Sequence, residues 1–190
     1  MRIAIIGGIG SGKSEVLKIA KERGFFCISA DEINSELLKT PSYIQKIQTA
    51  FPTAVINGEV DKKTLASIVF SNESERKKLN SIAHPEIMRA IAEHTENPLA
   101  IELPLFIEGG DEAFDEIVYV RTPLLKRILR LKKGRGMSVA QAIRRIRSQV
   151  PSSVLMAKST QIIDNKGSLD KLKKKATVLF DKILEKHNEI

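Results

Sequence analysis

Residues 7–14 read Gly7-Gly8-Ile9-Gly10-Ser11-Gly12-Lys13-Ser14, a complete G-x-x-x-x-G-K-[ST] pattern. Arg2-Ile3-Ala4-Ile5-Ile6 runs into it as a short apolar strand, and residues 15–22 follow with apolar side chains at helical spacing. Strand, glycine-rich turn and helix in that order make a phosphate-binding loop. Residues without a Cβ reach the dihedrals that turn backbone N–H groups inward. Together with the positive end of the following helix they form an anion cradle of Gly8, Ile9, Gly10, Ser11, Gly12, Lys13 and Ser14. Lys13 is placed to reach the β- and γ-phosphates of a nucleotide, and the Ser14 hydroxyl to ligate Mg²⁺. A glycine-rich turn that binds nothing has no need for motif, strand and helix to coincide.

Outward from the loop, 190 residues leave room for one domain with one sizeable core. Hydrophobic residues make up 42% and charged residues 28%, ordinary proportions for a globular chain. No apolar run is long enough to span a membrane, no signal-peptide pattern precedes the loop, and Cys27 is the single cysteine. A cytoplasmic protein that uses no membrane is the expectation. The net charge of +8 favours anionic partners, either nucleic acid or small polyphosphates. The surplus concentrates in residues 126–147 and 171–175.

Apolar runs at 25–28, 99–103, 116–120 and 161–163 predict four more strands. Helices are expected from 29–32 through Leu38, over 42–50 behind Thr40-Pro41, over 61–70, and over 72–96 with a kink or break at Pro85. Residues 55–58 read as a turn. Thr122-Pro123 starts a helix to about Lys133, broken by Gly134-Arg135-Gly136. Ser138 and Gln141 form a capping box for a helix to Gln149, and Pro151 starts a short one. Ser168 caps a C-terminal helix whose apolar face is Leu169, Leu172, Ala176, Leu179, Phe180 and Ile183. Strands that alternate with helices predict an α/β fold, a five-stranded parallel sheet covered on both faces. Ligands of such sheets bind at the carboxyl ends of the strands. The expected division is a core of about 1–30, 98–125 and 158–190, a helical acceptor-binding region of about 31–97 and a lid of about 126–157.

Phosphoryl transfer needs an anion cradle, a metal, cations over the transferring group and something to orient the acceptor. Asp31, just past the second strand, can accept the proton of an attacking hydroxyl. It can equally serve the helix start, with Ser29 and Glu32 as a capping box, and the pattern leaves both readings open. The basic stretch from Lys126 can close over a nucleotide or be a solvated face. His84, His94 and His187 are scattered, without the spacing of a metal site. With 2 tyrosines and no tryptophan, stacking platforms for single-stranded nucleic acid are scarce.

The chain resembles the dephospho-CoA kinases, a family of phosphate-loop kinases, over nearly its whole length. The loop matches them including its non-glycine positions, and Ser29-Ala30-Asp31 stands where they have Asp-Ala-Asp. Asp61 with Leu65, Val69-Phe70, Leu79-Asn80 with His84-Pro85, Pro104-Leu105-Phe106-Ile107-Glu108, Arg145-Ile146 with Gln149, and Ile163-Asp164-Asn165 with Gly167 follow in the family's order. The loop alone is common to many NTPases, whereas the ordered set is much more specific. The resemblance implies a three-layer P-loop kinase fold and ATP-dependent phosphorylation of the ribose 3′-hydroxyl of dephospho-CoA, with Mg²⁺ as cofactor. It implies that Asp31 is the base or the residue that orients the acceptor, and that Arg127 or Arg130 is a lid arginine over the phosphates. Asn165 would lie by the adenine, and His84, Pro104, Leu105 and Glu108 would line the acceptor side. ATP and dephospho-CoA are then the partners, without nucleic acid, and a monomer or weak homo-oligomer is expected. Departures are Ser29 for the first aspartate, Ile6 and Glu15 for threonines, Lys62 for an arginine, and a lid that aligns poorly around Gly134-Arg135-Gly136.

Three other readings compete. A nucleoside or nucleotide kinase shares loop and lid but not the His-Pro and Pro-Leu-Phe-Ile-Glu elements. An NTP-regulated nucleic-acid binder fits the charge but lacks interleaved aromatics. A switch GTPase lacks its Asn-Lys-x-Asp motif.

Overall fold

The computed structural model describes residues 1–103 and 110–188, with the backbone alone described at 70, 71, 111 and 188. The elements in order are β1 (Arg2–Ile6), α1 (Lys13–Glu22), β2 (Phe26–Ser29), α2 (Ala30–Leu37), α3 (Pro41–Ala50), β3 (Val55–Ile56), β4 (Glu59–Val60) and α4 (Lys62–Ser71). They continue as α5 (Glu73–Glu93), β5 (Leu99–Glu102), β6 (Glu116–Arg121), α6 (Leu124–Arg135), α7 (Val139–Arg147), α8 (Ser152–Lys158), β7 (Gln161–Asp164) and α9 (Leu169–Asn188). They divide into two units, one of Met1–Ser29 with Glu96–Ile190 and one of Ala30–Thr95. Among the described residues no helix is long and apolar enough to cross a membrane.

The first unit is built on a five-stranded sheet in the order β2-β5-β1-β6-β7, with every pairing parallel. A parallel sheet is covered on both faces, so its strands are continuous apolar runs without alternation. Ile3, Ala4, Ile5 and Ile6 of β1 are all at most 1% exposed, as this requires. One face packs on α1 and α9, where Val16, Ile19 and Ala20 meet Leu172, Ala176, Phe180 and Ile183. The Phe25 and Phe180 rings lie 5.3 Å apart, tilted by 56°. Leu169, expected on the buried face of α9, is exposed because the helix only begins there.

The order of strands puts β1 at the centre, so the loop after it opens between the carboxyl ends of β5 and β6. In α6 the helix continues through Gly134-Arg135, where a break is expected, and stops at Gly136. An interior glycine costs only about 1 kcal/mol. Gly136 takes a φ of 63°, the left-handed conformation that ends helices, and the Met137 N–H returns to Leu131 O. The Ser138–Gln141 capping box is formed from both sides and sets the α6–α7 turn. Ile128, Leu131 and Ala142 close a small core between the two helices, with Ile9 of the loop against it.

At the opposite, amino end of the sheet Glu116 is 2% exposed. It accepts from Lys186 Nζ at 2.9 Å, from Gln161 Nε2 at 3.4 Å and from the Thr160 hydroxyl. Burial by itself pushes the carboxyl up, and the hydrogen bonds from Thr160, Lys186 and Gln161 outweigh it and hold it below the usual carboxylate range. A carboxyl with a lowered folded value adds stability above its unfolded value, near pH 4, and loses it as pH falls through the folded one. Glu116→Gln is expected to cost about 1–3 kcal/mol at neutral pH, since buried donors lose a charged acceptor. Its melting temperature should fall less steeply than wild type's below about pH 4, as thermal denaturation across pH will show.

The second unit is helical. α5 packs against α2, α3 and α4, and runs unbroken through Pro85. The proline forfeits one bond to Ser81 O. Ala83, Ile87 and Ile91 are buried on both sides of it and hold the two halves to one core. Residues 55–58, read as a turn, form an antiparallel hairpin of β3 and β4 together with Glu59 and Val60. Asn57 and Gly58 at its tip have φ of 52° and 81°, the pair that two-residue hairpins favour.

Candidate active site

The phosphate loop is shaped from outside by residues distant in sequence. Arg127 Nε donates to Ile9 O at 2.9 Å. Arg130 Nη1 donates to Gly10 O at 3.2 Å and to Ser11 O at 3.0 Å. Ser11 O also accepts from Asn165 Nδ2 and from Thr122 Oγ1, each at 2.8 Å. A trans peptide sets its C=O and the next N–H on opposite sides. Carbonyls held toward α6 and the residue after β7 therefore turn the N–H groups of Gly10 and Gly12 the other way. The glycines make room for this. A Cβ on Gly8 would run into the Arg127 guanidinium, and one on Gly12, whose φ is 98°, would stand 2.7 Å from Asn165 Nδ2.

Arg127 and Asn165 are buried at 8% and 2% exposure. Burial draws the Arg127 guanidinium below its usual range. It remains a cation, because that range lies far above neutral pH. Asn165 also accepts from Arg130 Nη2 at 3.3 Å, so its side chain is engaged with the loop and α6. It follows a forked ion pair between register partners: Arg121 Nε and Nη2 donate to the two Asp164 oxygens at 2.5 and 2.7 Å. Arg121 beside it holds the Asp164 carboxyl below the ordinary range.

Inside the loop, Lys13 opens α1 with its ammonium 2.9 Å from Gly7 O. Glu102, the last residue of β5, lies 3.8 Å from that ammonium and accepts from Ser14 Oγ at 3.2 Å. Sequence reasoning did not single out Glu102, which reads as the end of an apolar strand. The available signal was a lone carboxylate at the carboxyl end of a buried strand, where ligands of such sheets bind.

This donor set fits a nucleotide with Mg²⁺. Ser11 Oγ is buried and has no hydrogen-bond partner among the described residues, an unmet polar atom in the cradle. Among the described residues no three His, Cys, Asp or Glu side chains gather into a metal cage. Mg²⁺ is ordinarily held by one or two protein oxygens plus substrate phosphates, which Ser14 and Glu102 can supply.

Two further expected site residues, Asp31 and His84, belong to the second unit. Asp31 is exposed in the first turn of α2, two residues beyond Ser29, whose register partner is Glu102. His84 is half-buried in α5, and burial lowers its pKa, which favours the neutral imidazole. Pro104, Leu105 and Glu108 lie outside the described residues.

The family model of the dephospho-CoA kinases matches residues 1–171. The chain belongs to the dephospho-CoA kinase family. A dephospho-CoA kinase of Corynebacterium glutamicum is 32% identical over 199 residues, spanning 99% of this chain and 100% of its own. The crystal structure of TT1252 from Thermus thermophilus has a TM-score of 0.78 and 28% identity, covering 96% of this chain and 97% of that one. A dephospho-CoA kinase from Campylobacter jejuni, 24% identical, shares the fold with a TM-score of 0.62, covering 96% of each chain. The parallel sheet and loop of this dephospho-CoA kinase family member are those of a phosphate-loop kinase.

Proposed function

We propose that the chain transfers the γ-phosphoryl group of ATP to the ribose 3′-hydroxyl of dephospho-CoA and so forms coenzyme A. One observation carries the reading beyond family membership: Lys13, Ser14 and Glu102 converge beside a loop whose Ile9, Gly10 and Ser11 carbonyls are held by Arg127, Arg130 and Asn165. Lys13 and the inward N–H groups hold the phosphates, and α1 adds the positive end of its dipole. Ser14 and Glu102 would hold Mg²⁺, which would supply positive charge to offset that of the phosphates. Asp31 orients the acceptor hydroxyl and takes its proton. Arg127 and Arg130 place positive charge against the loop. Asn165 serves the nucleotide side, and His84 with the Pro104–Glu108 segment, Leu105 included, serves the acceptor.

Chromatography of a reaction of dephospho-CoA with Mg-ATP tests this. Coenzyme A is the expected product, formed faster than any product from nucleosides or nucleotides offered as acceptors. Binding of ATP without coenzyme A formation would sink the acceptor assignment.

A further inference from the structure

Gln149, half-buried beyond the end of α7, makes two contacts that the phosphate-transfer scheme above leaves unused. Its Oε1 accepts from the Ile9 N–H at 2.8 Å and from Arg127 Nη2 at 2.9 Å. Arg127 Nε in turn donates to Ile9 O at 2.9 Å. The three bonds close a ring through one loop residue, one residue of α6 and one residue after α7. Both backbone groups of Ile9 are thereby engaged, and the peptides on either side of it are fixed.

We propose that Gln149 is a positioning residue for nucleotide binding, acting through Arg127 and the Ile9 peptide; the proposal rests on the reading that this loop binds ATP. With the ring closed, the guanidinium cannot rotate off Gly8, and the Gly10 N–H keeps its direction. The amide oxygen suits the task better than a carboxylate. It accepts two donors and leaves the arginine's positive charge uncancelled beside an anion site. The side chain reaches from the segment after α7, so the geometry of the loop depends on that segment being in place.

Titration calorimetry with Mg-ATP tests the proposal without reference to the acceptor. Gln149→Met keeps the length and removes the acceptor, and is expected to raise the ATP Kd about tenfold, with the melting temperature of the free protein lowered by no more than about 10 °C. Gln149→Asn, whose oxygen is drawn back by one methylene, should do the same in a polar side chain. Arg127→Lys loses the fork that joins Ile9 to Gln149, and Gln149→Met added to it should raise Kd no further. An unchanged Kd in both single Gln149 variants, or effects that multiply in the double variant, would overturn the proposal. A wild type that binds Mg-ATP but makes no coenzyme A defeats the proposed function and leaves Gln149 to be judged by Kd. A wild type that binds no Mg-ATP overturns both.

Discussion

Lys13→Ala should lower coenzyme A formation from dephospho-CoA and Mg-ATP by at least about 10²–10³-fold, the loss typical of removing one preorganised electrostatic donor. The lysine is the only side-chain cation placed within the loop motif itself, and its ammonium sits between Gly7 O and Glu102. In a low-dielectric cradle a cation gains strength exactly where charge develops on the transferring group. Truncation to alanine removes that cation without touching the apolar cluster of β1, α1 and α9, of which Lys13 is no member. The fold should therefore survive. Loss of one charged donor corresponds to a melting shift of no more than about 10 °C in a chain of this size. Circular dichroism beside the activity assay separates the two effects. Activity above a hundredth of wild type in a folded Lys13→Ala protein would remove Lys13 from the transfer step.

The loop and the sheet are legible in the sequence because both are written locally. A strand of parallel sheet is an unbroken apolar run, and the loop motif is contiguous in the chain. The strands fall where such runs occur, shifted by a residue where Phe25 packs into the core ahead of the ladder. What surrounds the loop is not local. Arg127, Arg130, Gln149 and Asn165 reach the loop over 118 to 154 positions of sequence. Their residue types say only that they are polar or charged. A basic stretch offers no sign that Arg127 will be buried against backbone carbonyls while its neighbour Lys126 reaches the carbonyl of Lys166. Glu102 is similar: its role comes from the strand order that puts β5 beside β1. The hairpin at 55–60 is a different case, since Asn57-Gly58 carried its signal in plain view. The helix through Pro85 shows tertiary burial overriding a local penalty.

Asp31→Asn should leave the Mg-ATP Kd within about threefold of wild type and lower the rate of phosphoryl transfer about 10²–10⁴-fold, the usual contribution of a positioned general base. The two readings of Asp31 make opposite claims here. A carboxylate that serves only the α2 dipole is worth a few tenths to 1 kcal/mol of stability, and its amide counterpart costs the rate nothing. A carboxylate that accepts the acceptor's proton cannot be replaced by an amide, which has no basic oxygen at neutral pH. We propose the second. Asp31 comes two residues after Ser29, which pairs in register with Glu102, and Glu102 bonds Ser14 of the loop. Exposure in the first turn of α2 leaves the carboxylate open to a substrate hydroxyl. Single-turnover measurement with saturating dephospho-CoA gives the rate of the chemical step directly. A slow step with intact ATP binding assigns the proton acceptor, whereas an unchanged rate with a lowered melting temperature returns Asp31 to the helix start.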